Sequence, residues 1–519
     1  MLLTANRTKE RVKDFSGGQN SAAEPSNVGQ NQAELLENCT ISLQGQVAQR
    51  NGITVLGTAN STTNIVRGLF NFNAGGTLNT LLRCRATKIQ RLASDYSDWT
   101  DITGLTTLTT DLTTNFAQGI DKCFILNGTD HVFSVDNTLT VTDEGSGNTS
   151  FPLSTFAEYA TNNRMFASGS LVDANRDIVW FSNTLDPQTW DRTLNLFKVR
   201  SGNGGKITWL KMYRNNELIV YKNDAIFVLD MTGATPLTDW TLQPLSVKIG
   251  CPAGRTVADI GNDHIFLAND GVRILSRTTF DKIDVGRISD PIKDIIDTIN
   301  QDAIQNSVGW FENGLYILGV PIGTATQPNK FLIWDSFASQ RNGGEDNAGG
   351  WTTVKTSDWT LSCMSSFSFG DNKNTFVAGA GTATSLCYKV LSGTTDNGTT
   401  ITQTIQSRQH DFGDPFIKKI FDPAQFLAQS TTNGIYSYSI DIDRTGFVQV
   451  GTANLAGSLQ TPFTTPATTG SSSIVISNFR TKFAGRGNTC RLQIQNSTSS
   501  TTPNFLEYTI YSRPYGGRI

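Results

Sequence analysis

Seven pentapeptides along the chain carry apolar residues at their second and fifth positions: Lys88-Ile89-Gln90-Arg91-Leu92, His131-Val132-Phe133-Ser134-Val135, Asp177-Ile178-Val179-Trp180-Phe181, Ala225-Ile226-Phe227-Val228-Leu229, Gly271-Val272-Arg273-Ile274-Leu275, Lys330-Phe331-Leu332-Ile333-Trp334 and Leu386-Cys387-Tyr388-Lys389-Val390. Successive side chains of a strand alternate between faces, so residues three apart point opposite ways. Apolarity at both predicts strands covered on both sides. The second positions, 89, 132, 178, 226, 272, 331 and 387, are separated by 43, 46, 48, 46, 59 and 56 residues. That is close to the ~40–50 residues of a four-stranded propeller blade, with insertions in the last two units.

Before most of these strands comes another apolar strand and a turn. Cys123-Phe124-Ile125-Leu126 precedes Asn127-Gly128, Leu218-Ile219-Val220-Tyr221 precedes Asn223-Asp224, and Ile265-Phe266-Leu267 precedes Asn269-Asp270-Gly271. Such dipeptides favour tight hairpins. Trp99, Trp190, Trp240, Trp351 and Trp359 follow several repeats, where a large aromatic can fill the wedge between neighbouring blades. The pattern predicts an all-β chain, a β-propeller of about six or seven blades over residues 55–395. An irregular stack of β-sandwiches is the alternative.

Two helices are expected. Asp290-Pro291 opens one, and Ile292, Ile295, Ile296 and Ile299 form a single stripe on it. The other runs from Asn31 to Asn38, with Glu34 completing a capping box ahead of Leu35 and Leu36. Residues 1–54 lack strand periodicity and read as an N-terminal arm or clasp, or as a leader that closes the first blade. Period-two alternation returns in Tyr436–Asp443 and Cys490–Gln495, so residues 396–519 are expected to form a separate antiparallel β-sandwich. Gly457–Ser473 reads as an exposed loop within it.

Composition narrows the function. Of 519 residues 17% are charged, and Lys+Arg 42 against Asp+Glu 45 leaves a net charge of −3, which removes the case for a surface gripping nucleic-acid phosphates. No signal-length apolar segment follows Met1, and a cytosolic origin is expected. The seven cysteines are scattered without a C-x-x-C pair, so buried thiols are expected rather than disulfides or zinc. Triplets such as Asn127-Gly128-Thr129 and Asn496-Ser497-Thr498 match the glycosylation pattern by chance in an Asn/Thr-rich chain.

His131, His264 and His410, the only histidines, have no nucleophile motif beside them and read as ordinary sheet or turn residues. No G-x-S-x-G, H-E-x-x-H or Walker loop occurs. Ser201-Gly202-Asn203-Gly204-Gly205-Lys206 lacks the P-loop spacing and reads as a surface loop. No catalytic residue, cofactor or metal site is expected.

Asp14-Phe15-Ser16-Gly17-Gly18-Gln19-Asn20, then Ala33-Glu34-Leu35-Leu36-Glu37-Asn38 and Gln49-Arg50-Asn51-Gly52, resemble the opening of bacteriophage tail nozzle proteins of the tail-tubular-protein-B type. Asn51 departs from the proline often found there. Asn163–Gly169 with Trp180-Phe181-Ser182 and Asp186–Trp190 is similar to a mid-chain blade of that family. Ser392–Gly398 leading to Asp411–Pro415 is similar to its passage into the C-terminal domain. The resemblance implies a structural virion protein of a short-tailed phage, made in the host cytoplasm. It would be one subunit of a six-fold ring beneath the head–tail adaptor, a channel for genome ejection. Its partners would be copies of itself, the adaptor, tail fibres or a tail plug, and double-stranded DNA passing through the lumen without sequence-specific binding. Membrane insertion is not implied. Phe15, Ser16, Gly17 and Gly18 are the candidate interface. The rival function is a carbohydrate-binding or glycan-hydrolysing propeller of a receptor-binding apparatus, because Ser94–Trp99 and Thr356–Thr360 partly match the sialidase aspartate box.

Overall fold

The computed structural model describes residues 7–515 except 59–63, 77, 105–106, 146, 201–204, 215, 234, 278–282, 342–348, 372, 430–434, 455–478, 481–484 and 498–503. The expected loop over Gly457–Ser473 and most of Ser201–Lys206 lie outside the described residues.

Seven antiparallel sheets follow one another along the chain. Their first strands are Val66–Ala74, Asn115–Gly119, Phe156–Tyr159, Ile207–Tyr213, Ala258–Asp259, Val308–Glu312 and Leu361–Ser368. Neighbouring sheets pack on one another, and the seventh closes on the first through Leu361–Ser368 and Val66–Ala74. We number these blades 1 to 7; the fold is a β-propeller. The seven repeated pentapeptides fall on the third strand of the seven blades in order.

Each gap between blades holds its own apolar cluster. Strand Lys122–Leu126 shows why. Its Cys123 and Ile125 pack toward blade 1, while Phe124 and Leu126 pack toward blade 3. The marker residues obey the same rule. Ile226 packs toward blade 5 and Leu229 toward blade 3, and all fourteen second and fifth residues are buried. Trp99, Trp190, Trp351 and Trp359 are buried in these gaps, and Trp240 is half-buried in one.

The chain's start completes its end. Ile53–Leu56 is the fourth strand of blade 7, antiparallel to Cys387–Val390, and Thr395–Asp396 adds to its other side. The expected limits at 54/55 and 395/396 therefore fall inside two strands of one sheet. Residues 7–49 are not a free arm. Thr8–Val12 pairs with the final strand Asn504–Pro514, Cys39–Ile41 and Val47–Gln49 form a hairpin against that same strand, and Leu35–Glu37 lies between blade 6 and Gln403–Gln406.

Beyond blade 7 two sheets face each other over one core. Phe421, Phe426, Phe505, Tyr508 and Ile510 come from one side, and Ile405, Tyr438, Ile440, Leu492 and Ile494 from the other. This is the expected sandwich, but Val12, Phe15, Leu36, Ile41 and Val47 belong to its core. One of its sheets is the outward continuation of blade 6, nine strands in all among the described residues.

One expected helix is corrected. Residues 32–33 and 35–37 are strands, and Glu34 bonds Arg491 at 2.7 Å rather than capping a helix. A helix that short gains too little alone. Pairing on both edges and burial of Leu36 outweigh its local preference. The other helix forms but is brief, a 3-10 turn over Asp290–Ile292 and an α-turn over Lys293–Ile296. Ile292, Ile296 and Ile299 are buried between blades 5 and 6.

Candidate functional site

Phe15, Ser16, Gly17 and Gly18 are buried within the chain. Asp14 Oδ1 accepts the Ser16 N–H, and the Phe15 N–H donates to the Gly45 carbonyl. The Phe15 ring then lies 6.3 Å from both Phe505 and Tyr508 in the sandwich core. Gly18 has φ +72, and a Cβ there would meet the Trp351 backbone nitrogen of blade 6 at 2.5 Å. Only glycine suits such a position. The motif thus joins the amino-terminal segment to blade 6 and the sandwich, and offers no exposed surface to a second subunit.

The second motif forms a charged knot. Arg50 is fully buried and forks onto Asp396, Nη1 to Oδ1 at 2.9 Å and Nη2 to Oδ2 at 2.6 Å. Its Nε donates to Asn38 Oδ1 at 2.8 Å, and its plane stacks 4.4 Å from the Trp359 ring. Trp359 Nε1 donates to the same carboxylate at 3.0 Å. The knot gathers three distant parts of the chain: Asn38 and Arg50 from the amino-terminal segment, Trp359 from the link into blade 7 and Asp396 from the strand after it. Gly52 passes so close to Thr395 that a Cβ would lie 1.9 Å from its carbonyl oxygen.

The propeller axis is the usual place to look for a ligand. At one end a cavity of about 10 Å³ is lined by Arg67, Thr113, Arg255, Asn306, Gln327 and Ser362. Room of this size admits one water-sized species. Arg255 donates to the Ser362 carbonyl at 2.9 Å and the Asn306 carbonyl at 3.3 Å. Elsewhere on the innermost strands Lys211 bridges Glu158 of blade 3 and Asp259 of blade 5 at 3.5 and 3.1 Å. The negative charge of Glu158 lifts the lysine above its ordinary range. This is an ion-pair clasp across three blades.

The histidines serve packing and pairing. His264 is buried, bonded to the Tyr221 hydroxyl and the Met212 carbonyl, both at 2.9 Å, and burial lowers it to about 4. His410 is buried between Glu10 at 2.6 Å and the Tyr508 hydroxyl at 3.0 Å, tying Thr8–Val12 to the sandwich. His131 is exposed beside Asp143 at 3.3 Å. All seven cysteines are free and buried, and burial raises Cys84 to about 11 and Cys251 to about 12. Among the described residues no group of three or more His, Cys, Asp or Glu could hold a metal ion, and no helix is long and apolar enough to cross a membrane.

The aspartate-box-like segments are turns. Asp95 accepts the Ser97 N–H at 3.1 Å in the outer hairpin of blade 1, and Trp99 Nε1 donates to the Leu56 carbonyl at 3.1 Å. Thr356–Thr360 lies between blades 6 and 7, and its Trp359 belongs to the Arg50 knot. The two axial arginines, from blade 1 and the start of blade 5, carried no signal in the sequence, because no local pattern marks which end of a strand meets the axis.

The geometry defines a propeller protein with a strand-sharing sandwich. No protein-family profile and no curated protein matches the chain. Among solved structures it is similar to YCF48 bound to D1 peptide, with a TM-score of 0.40 and 9% identity over 66% of this chain and 97% of that one. It is also similar to BamB from Moraxella catarrhalis, with a TM-score of 0.37 and 12% identity over 74% of this chain and 97% of that one. Likenesses of this size carry nothing about function.

Proposed function

We propose that the chain is a structural virion protein, one subunit of a tail nozzle ring beneath the head–tail adaptor of a short-tailed bacteriophage. The observation that carries the reading is the meeting of segments far apart in sequence that resemble that family. Arg50 and Gly52 close on Thr395 and Asp396, and Phe15–Gly18 seat against blade 6 and the sandwich. These contacts join propeller and sandwich into a stiff wall element. The reading puts the DNA lumen between copies rather than along the propeller axis. A net charge of −3 permits a neutral or acidic lumen that passes DNA without holding it.

Ring closure needs a heterologous interface whose rotation returns to its start. With Phe15–Gly18 internal, that interface falls to other surfaces. Electron microscopy of virions, or of the protein mixed with its adaptor, is expected to show six copies around an open channel. A monomer absent from the particle overturns the reading. Among the described residues lining that cavity there is neither a carboxylate nor a tyrosine, so the cavity lends the glycan-hydrolysing alternative no support. Purified protein is expected to leave host lipopolysaccharide and capsule unchanged. Turnover of a defined glycan, abolished by one carboxylate-to-amide change, would restore that alternative.

A further inference from the structure

Two guanidinium groups share the end of the propeller axis. Arg67 stands on the innermost strand of blade 1, and Arg255 on the 3-10 turn Gly254–Thr256 that leads into blade 5. Both line the cavity with Thr113, Asn306, Gln327 and Ser362. Their charges are poorly met. Among the described residues Arg67 pairs with the exposed Asp111, at 3.4 Å, and its Nε is buried without a partner. Among the described residues Arg255 has carbonyl partners but no carboxylate. Burial holds the Arg255 guanidinium below its ordinary value, and the charge of Arg67 pushes the same way.

Two cations facing one small polar space repel each other and lose hydration unless a negative charge stands between them. The remaining lining groups include a hydroxyl and a side-chain amide that can donate. The space decides the class of anion. The cavity is small, about 10 Å³, and suits a single compact anion better than a branched oxyanion.

We propose that this axial cavity binds a single monovalent halide, chloride under ordinary conditions, between Arg67 and Arg255. The ion would be shared by segments belonging to blades 1, 2, 5, 6 and 7, and would therefore act as an axial pin of the propeller. The inference is independent of the virion reading and stands on the cavity and its charges alone.

Crystals of the full-length protein soaked in sodium bromide are expected to show an anomalous peak between the two guanidinium groups. In solution, replacing chloride by gluconate at constant ionic strength is expected to lower the Tm by roughly 1–3 °C, the shift mass action produces for a modestly bound ion in a chain of this size. Arg67→Gln is expected to remove that difference. Should it fail to fold, Thr113→Val provides the second variant, with a reduced difference expected. Absence of the bromide peak overturns the proposal. So does a chloride effect of equal size in the wild type and the variants, because that is a general salt effect. A bromide peak with no chloride effect on wild-type Tm marks an adventitious ion only, and overturns the pin.

Discussion

Arg50 illustrates what a buried charge demands. Removing an arginine from water costs several kcal/mol, and only a bidentate carboxylate with further acceptors offsets it. Asp396, Asn38 and the Asn51 carbonyl supply those partners, and Trp359 covers the plane. Arg50→Gln is expected to cost about 3–5 kcal/mol, since it leaves the Asp396 carboxylate buried without its mate, and Asp396→Asn less, because Asp358 stays 3.7 Å from the guanidinium; urea unfolding of each variant measures it. The resemblance pointed to Arg50, but a partner 346 residues away left no local trace. His264 makes a pH prediction. Its folded value of about 4 lies below the ordinary 6.5, because burial disfavours the imidazolium. The unfolded chain then binds the extra proton first. The contribution is fully present above about pH 6.5 and is lost as pH falls toward 4. Asp259, at 3.3 Å, favours the charged ring and Lys211 opposes it, so both belong to the same balance. His264→Gln is expected to flatten the fall in stability across that window, read as the difference between the two pH–stability curves.

At the scale of the element, strand assignment followed from periodicity wherever both faces are apolar. The third strands of the blades could be read directly, because a strand between two neighbours must be apolar at odd and even positions alike. Ile226→Asp and Leu229→Asp are each expected to prevent folding, since one buries a carboxylate against blade 5 and the other against blade 3. Ile226→Val is expected to cost only about 0.5–1.5 kcal/mol, so soluble expression of the three variants separates buried charge from lost volume. The segment at residues 31–38 shows the limit. Its capping-box pattern is a true local preference, worth about 1 kcal/mol. It yields to pairing with Thr353 on one edge and Thr404–Gln406 on the other.

Across the whole molecule, the nine-stranded sheet and the Arg50 knot run through what composition and turn signals divide into three parts. Propeller and sandwich share backbone ladders, so neither can open without breaking hydrogen bonds in the other. Thermal unfolding is expected to be one cooperative transition by near-UV circular dichroism and calorimetry alike; two resolved transitions would disprove the coupling. Deleting residues 1–56 removes the outer strand of blade 7 and part of the sandwich core together. The shortened chain is expected to be insoluble, whereas adding residues 1–56 as a separate peptide during refolding is expected to recover soluble protein.

The repeat, the two-faced burial, the wedge tryptophans and the sandwich alternation are properties of neighbours in sequence. Period and polarity along 519 residues therefore determined the propeller and the presence of a second β-domain, though not the limits between them. Contacts between distant segments obey no such period. Closure of blade 7 by Ile53–Leu56, burial of Phe15–Gly18 inside the chain, the strand at Leu35–Glu37 and the pairing of Arg50 with Asp396 were decided only in the tertiary structure. Their free energy comes from surfaces and charges that meet only after the chain has turned full circle around the propeller.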